Sequence, residues 1–232
     1  MIRQNCDNCS VFHKSYFDML SKDDLLEFSN KKACRSYKKG QTIYTSGTRP
    51  NGIYCLQKGK VMIYKTGPYG KEQIVRFVLP GDFIGMRAAL GDKNYSSNAV
   101  TLEESVICFI AKQDFQMLMI KCPQITSSII ATLSKLLEES DNKVTSLAQK
   151  TVRERLAETL LTLNEVFKSE IIDSESVITL SRRDLANLVG TATETVIRLL
   201  SELKADKIIS IKGRKITIQK VRELTKIANL SD

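Results

Sequence analysis

A chain of 232 residues and 26.1 kDa is long enough to bury a core in one large or two modest domains without covalent staples. Hydrophobic residues at 42% and charged residues at 26% are ordinary for a water-soluble globular protein, and no run approaches the roughly 18 apolar residues that span a bilayer. The net charge of +9 and pI near 9.2 point toward a polyanionic partner.

The opening residues, MIRQNCDNCSVF, are polar and hold no apolar signal region, so the expected location is the cytoplasm, with no membrane contact. There the six cysteines are expected to be reduced, as buried fillers, metal ligands or redox groups rather than a disulfide framework. His13 is the only histidine, which argues against a cupin-type metal enzyme. Nine of the eleven glycines then fall between Gly40 and Gly91, and between them lie QTIYTSG, IYCLQKG, KVMIYKTG and EQIVRFVLPG. Short β-rich runs punctuated by turn residues read as a β-barrel or sandwich, closed near residue 110 by ESVICFI.

From Pro123 to about Lys150 glycine and proline vanish. The apolar residues Ile125, Ile129, Leu133, Leu136, Leu137, Val144 and Leu147 recur mostly at helical spacing. At 1.5 Å per residue this helix is roughly 40 Å long, more than a small barrel covers, and a second copy of itself is the simplest partner for the rest of its stripe.

After the helix TVRERLAETLLTLNEVF comes LSRRDLANLVGTATETVIRLLSELK. Ser181 with Asp184 and, more closely, Thr191 with Glu194 fit the capping-box pattern, so two helices are expected to meet at Gly190. Leu185, Leu188 and Val189 form the inner face of the first; Val196, Leu199, Leu200 and Leu203 form that of the second. Thr193, Glu194, Ile197, Arg198 and Ser201 are left to face outward. Two helices with such a turn form the helix-turn-helix unit, whose second helix enters the DNA major groove. KIISIKGRKITIQ then gives a two-stranded wing with a basic tip, Lys212 to Lys215. Residues 182 to 226 hold eleven Lys or Arg against five acids, but acids in the preceding helix and loop dilute that surplus, so the reading rests on pattern more than on charge. The expected DNA-contacting set is Arg182, Thr191, Thr193, Glu194, Thr195, Ile197, Arg198, Lys212 and Arg214. No nucleophile and base set, phosphate loop or catalytic metal cluster is recognisable, so an enzyme is not expected. The competing reading is a small-ligand or redox sensor whose C-terminal module docks a protein instead of DNA.

The order of these parts, together with LSRRDLANLVGTATETVIRLLSELK, GDFIG at 81 to 85 and LEESVICFI followed by CP, resembles the CRP/FNR family of bacterial transcription regulators. The resemblance covers essentially the whole chain. It implies an α+β fold with a cyclic-nucleotide-binding-like β-roll, a jelly roll carrying the cysteine segment, over 1–120. A dimerisation helix over 121–150 and a winged helix-turn-helix over 151–232 complete it. It further implies a homodimer through the helix around 123–150, a palindromic operator in double-stranded DNA, RNA polymerase as a partner, and base contacts by Glu194 and Arg198. Ile197 departs from the small polar residue usual at its position in many members.

For the effector, the matching segment is GMRAALGDKNYSSNAV, giving Gly85, Met86, Arg87, Ser96 and Ser97 as candidate pocket residues. Cyclic-AMP-binding members carry a Gly-Glu and an Arg-Ser pair there. Met86 replaces the acid and Ser96 the arginine, which removes the bidentate phosphate partner and argues against cyclic AMP. Oxygen-sensing members hold an iron–sulfur cluster on N-terminal cysteines plus one in the roll, and Cys6, Cys9 and Cys108 match that pattern. The third N-terminal cysteine falls at Ser15. Cys34, Cys55 or His13 are candidates for the missing ligand. A zinc site on Cys6, Cys9 and His13, a thiol switch, and no metal at all stay open beside the cluster.

Overall fold

The computed structural model describes residue 6 and residues 9–168 and 176–230, so part of the polar opening segment lies outside the described residues. The chain divides into two compact units, 1–138 and 139–232, with the division inside the long helix.

In the first unit, eight strands follow the short α1 (Lys22–Lys31): β1 (Ala33–Tyr37), β2 (Thr42–Tyr44), β3 (Gly52–Lys58), β4 (Val61–Thr66), β5 (Glu72–Val78), β6 (Phe83–Ile84), β7 (Asn98–Thr101) and β8 (Ser105–Ala111). They form two antiparallel four-stranded sheets, ordered β1-β8-β3-β6 and β2-β7-β4-β5. The alternation of side chains along a strand assigns each face. Tyr54 and Leu56 join Val61, Ile63, Val78, Ile84 and Ile107 in one core, whereas Ile53, Cys55 and Ile110 turn to the other side. That second face is covered by Phe17 of the 3-10 turn Tyr16–Met19, by Leu25 and Phe28 of α1, and by Phe115 and Leu118 of α3 (Lys112–Lys121). Ile125 and Ile129 of α4 (Pro123–Gln149) complete the cover. The turn into β4 needs Gly59: its φ is +95°, and a Cβ there would lie 2.2 Å from Ser105 Oγ. A one-turn helix, α2 (Met86–Leu90), follows β6.

The expected strands are present, and the sequence reading missed β1, β6 and β7. It also expected every cysteine to be reduced, which the structure corrects. Cys34 and Cys108 are register partners across β1 and β8 and form a disulfide. Their separation of 74 residues hides the pairing, because only strand register brings them together.

In the second unit, α5 (Val152–Val166) buries Leu156, Leu160 and Leu163. Its start is a complete capping box: Thr151 Oγ1 accepts from the Glu154 N–H while the Glu154 carboxylate accepts from the Thr151 N–H. After β9 (Ile178–Thr179), α6 (Arg182–Val189) and α7 (Thr193–Ala205) meet at Gly190, in the left-handed region at φ 74°. β10 (Ile209–Lys212) and β11 (Lys215–Ile218) pair as the expected wing, Ile209 with Ile218 and Ile211 with Ile216, and β9 adds a third strand. α8 (Val221–Ile227) buries Leu224.

Ser181 caps α6 as expected, accepting from the Asp184 N–H. Thr191 does not cap α7, contrary to the pattern reading: the cap residue is Ala192, with no side-chain bond. The Gly190 and Thr191 N–H groups both donate to the Ala186 carbonyl, so Thr191 still belongs to the close of α6 and the next helix begins one residue later. Among the described residues no helix is long and apolar enough to cross a membrane.

Thr151→Ala is expected to lower stability by about 1 kcal/mol in urea unfolding, with an unchanged m value, because it removes a working cap. Thr191→Ala, which removes none, should leave the urea midpoint in place.

Candidate nucleic-acid interface and signal sites

The buried side of α7 fixes its exposed side. Val196, Leu199, Leu200 and Leu203 pack inward, so Glu194, Ile197, Arg198 and Ser201 face solvent, with Thr193 and Thr195 half-buried beside them. Ile197 is 48% exposed. Arg198 does not pair with Glu194. Its Nη1 donates to Glu202 Oε1 at 2.6 Å, and Glu202 also lies 3.7 Å from Arg153. Glu194 has no side-chain partner among the described residues and stands in the first turn of α7, where a carboxylate is favoured by the helix dipole. Lys212, Arg214 and Lys215 are exposed around the wing turn, and Thr191 is half-buried.

Arg182 sits differently from the sequence reading. Its Nη2 donates to the Gly213 carbonyl of the wing turn at 3.2 Å, while Nη1 is buried without a partner among the described residues. Burial lowers its pKa from the usual arginine value. The guanidinium therefore ties α6 to the wing, a contact that sequence spacing does not reveal.

The candidate effector residues are not brought to one wall. Gly85 carries the left-handed turn that starts α2, and a Cβ there would meet the Tyr95 ring at 3.0 Å. Arg87 Nη2 donates to Ser96 Oγ at 2.6 Å, and Ser97 is buried and hydrogen-bonded to Tyr44. Met86 corrects the expectation: with Ala89, three residues on, it packs into the core beneath the β1-β8-β3-β6 sheet instead of lining a pocket. A cleft of about 540 Å³ lies nearby, lined by Arg35, Tyr37, Tyr44, Arg49, Tyr54 and Tyr95 among others. Burial raises the pKa of Tyr44, Tyr54 and Tyr95, so these phenols stay protonated hydrogen-bond donors. Sequence reading missed this cleft, because β1 and β2 carry no motif.

The cysteines converge more than the sequence could say. Cys6, Cys9, Cys55 and Cys108 line one small cavity together with Lys32 and Gln57, and Ser15 reaches it too. Ser15 Oγ donates to the Phe12 carbonyl and accepts from the Phe17 N–H, so it serves as a local turn cap. Burial pushes the Cys55 thiol up to about 12, with Cys9 and Cys6 adding to the rise and Lys32 opposing it. His13 is turned outward and paired with Asp18, so the described structure does not assemble a Cys6, Cys9 and His13 site. Cys108 is in the disulfide and is not a free thiolate in this state. Among the described residues no three His, Cys, Asp or Glu groups are placed to hold a metal ion.

Residues 34–122 match the family model of the cyclic nucleotide-binding domain, and residues 154–227 match the Crp-like helix-turn-helix domain. The fumarate and nitrate reduction regulatory protein of Vibrio cholerae is 30% identical over 236 residues, covering 98% of this chain and 91% of that one. The regulatory protein HlyX of Actinobacillus pleuropneumoniae is 30% identical over 223 residues, covering 95% and 92%. The solved structure of FixK2 from Bradyrhizobium japonicum shares the fold with a TM-score of 0.76 at 24% identity, covering 87% of this chain and 99% of that one.

Arg182→Ala should loosen the wing. Amide exchange over residues 209–218 is expected to speed up while exchange in α7 stays unchanged, which hydrogen exchange with mass spectrometry reads directly.

Proposed function

This chain belongs to the CRP/FNR family of transcription regulators, and from that membership we propose that it acts as a homodimer whose two α7 helices read the half-sites of a palindromic operator. As a family member it is a DNA-binding regulator and not an enzyme. The exposed face of α7 carries the proposal: Glu194, Ile197 and Arg198 project from a helix whose opposite side is fully packed.

The chemistry of these groups suits base edges in the major groove. Arg198 donates two bonds to guanine O6 and N7, Glu194 accepts from cytosine N4, and Ile197 meets a thymine methyl. Arg198 must first leave Glu202. Its side chain is 65% exposed, and such surface pairs contribute about 0–1 kcal/mol, so the exchange is cheap. Arg153 remains beside Glu202 when it happens. Thr191 in the turn after α6, Thr193 and Thr195 in the first turn of α7, and Lys212 and Arg214 on the wing are assigned to phosphates; Arg182 positions the wing for that contact. RNA polymerase is the further partner that the family implies, and the cytoplasm is the place of action.

The signal enters through the first unit. The iron–sulfur cluster of the family's oxygen-sensing members does not fit the residues as they are placed: Cys6, Cys9 and Cys108 line one cavity, but Cys108 is disulfide-bonded and among the described residues no three His, Cys, Asp or Glu groups are placed to hold a metal ion. The chain's own residues connect that cavity to α4. Tyr16 and Thr132 hydrogen-bond through their hydroxyls, Ser128 Oγ donates to the Met19 sulfur, and Tyr16 stacks on Phe83. A change in the 6–20 segment therefore acts on α4, where packing against a second copy sets the spacing of the two reading helices.

Arg198→Ala is expected to cost about 1–3 kcal/mol of operator binding and to relax the choice at one base pair per half-site. Lys212→Ala should instead weaken binding to all sequences alike and flatten its salt dependence. A wild-type protein with no salt-dependent affinity for DNA would contradict the proposal and leave a module that docks protein.

A further inference from the structure

Strand register gives the β1-β8-β3-β6 sheet two faces of different chemistry. Cys34, Cys108 and Cys55 share one face. On the other, Ala33, Phe109 and Tyr54 stand in one row across three strands, with Arg35 and Ile107 in the next. These residues line the cleft of about 540 Å³, together with β2 and the connection that follows it. β1 and β2 are the edge strands of their sheets, so the cleft lies where the sandwich is left open. Its described lining includes none of Gly85, Met86, Arg87, Ser96 and Ser97, so it is separate from the segment in which cyclic-AMP-binding members carry their ligand pairs.

The lining selects a charge and a shape. Among the described residues that line it are two arginines, Arg35 and Arg49, and no carboxylate. Neither guanidinium has an ion-pair or hydrogen-bond partner among the described residues. Asp92, whose carboxyl feels the charge of Arg49, is held instead by Lys112 at 2.7 Å. The walls are aromatic: Tyr54 lies against Phe109 with ring centroids 5.2 Å apart, and Tyr44 stacks on Tyr95 at 3.8 Å. The hydroxyls of Tyr44 and Tyr95 are engaged with Ser97 and the Gly52 carbonyl, whereas those of Tyr37 and Tyr54 have no partner among the described residues. Arg35 and Tyr37 both act on the ionisation of Tyr54, so three polar ends lie near one another beside the ring wall. An apolar-walled cleft with a few convergent polar groups is the usual form of a small-molecule site.

We propose that this cleft is an effector site for a small aromatic carboxylate, whose ring lies against Tyr54 and Phe109 and whose carboxylate is held by Arg35 and Arg49. The proposal deepens the signal part of the function above and rests on that reading for the consequence of binding. A guanidinium takes a carboxylate through two parallel hydrogen bonds, and aromatic rings pack edge to face or offset on one another. A phosphate is held best where the backbone N–H groups of a helix start add to the side chains, and no helix begins among the described lining residues. The wall also leads toward α4. The Asn51 carbonyl accepts from the N–H of Lys112, the first residue of α3, and α3 passes into α4 through Cys122 alone. An anion held by Arg49 therefore acts on a connection that is bonded to the start of α3, and through α3 on the helix that meets the second copy.

The test is calorimetry on the full-length protein with benzoate, 4-hydroxyphenylacetate and indole-3-acetate, with the corresponding amides and AMP as controls. Ligands of about ten non-hydrogen atoms bind here with an expected Kd on the order of 0.1–1 mM. At least one acid should bind, with its amide about tenfold weaker or more, because the amide loses the charge that the guanidiniums recognise. Arg35→Ala and Arg49→Ala, both at exposed positions, should each weaken the acid about tenfold, while Ser96→Ala should leave it unchanged. Circular dichroism checks that each variant folds. Hydrogen exchange should show slower exchange over residues 48–51 and at the start of α3 when the acid is bound, and no change in the wing. Binding of none of the three acids, equal binding of acid and amide, an affinity that survives the Arg35→Ala/Arg49→Ala double variant, or AMP bound in place of the acids would each overturn the proposal. Salt-dependent binding to generic DNA is measured on the same samples. Its absence beside intact acid binding would sink the regulator reading and leave the cleft assignment standing.

Discussion

Ile130, Leu137 and Val144 follow one another at seven-residue intervals along α4 and are 59%, 65% and 63% exposed. An apolar residue every seventh position is one of the two seam positions of a coiled coil, with Leu133 and Leu147 at the other, three residues after Ile130 and Val144, and full burial of each such side chain contributes roughly 1.5–3 kcal/mol. The same helix buries Ile125 and Ile129 against the roll, so its two faces have different tasks. In the proposed homodimer, a helix with one face packed on the roll and the other against a second copy would make dimer geometry answer to the first unit. A two-fold pair then presents two identical reading faces, and a palindrome is the DNA sequence with matching symmetry.

The roll supplies the other half of this arrangement through strand register. Period-two alternation sends Leu56 and Ile107 to one core and Cys55 and Cys108 to the opposite face, where the N-terminal segment closes over them. The segment that bears Cys6 and Cys9 is also the one bonded to Thr132 of α4. The cavity lined by Cys6 and Cys9 and the contacts to α4 are therefore joined by the same N-terminal segment. Phe17 anchors its 3-10 turn on the roll by contacting both Phe28 and Phe83.

Local patterns carried much of this into the sequence. The inner faces of α6 and α7, the glycine between them and the two strands of the wing follow from periodicity and turn chemistry, which act over a few residues. Thr191 shows where such reasoning stops: a good capping pattern lost to the closing bonds of the preceding helix, visible only once Gly190 is placed. Features set by distant residues were not legible. The Cys34, Cys108 and Cys55 row depends on strand register, the Arg182 bond to Gly213 on how the wing folds back, and the inward turn of Met86 on which side of α2 meets the core. Thr151 with Glu154 follows the same local pattern, and there the box forms in full.

The most direct test of the whole account is selection of binding sites from random double-stranded DNA by the full-length protein. The account predicts enrichment of an inverted repeat, two copies of one short half-site related by a dyad, with centres about one helical turn apart. Enrichment of a single unpaired site, or of no sequence at all, would contradict it.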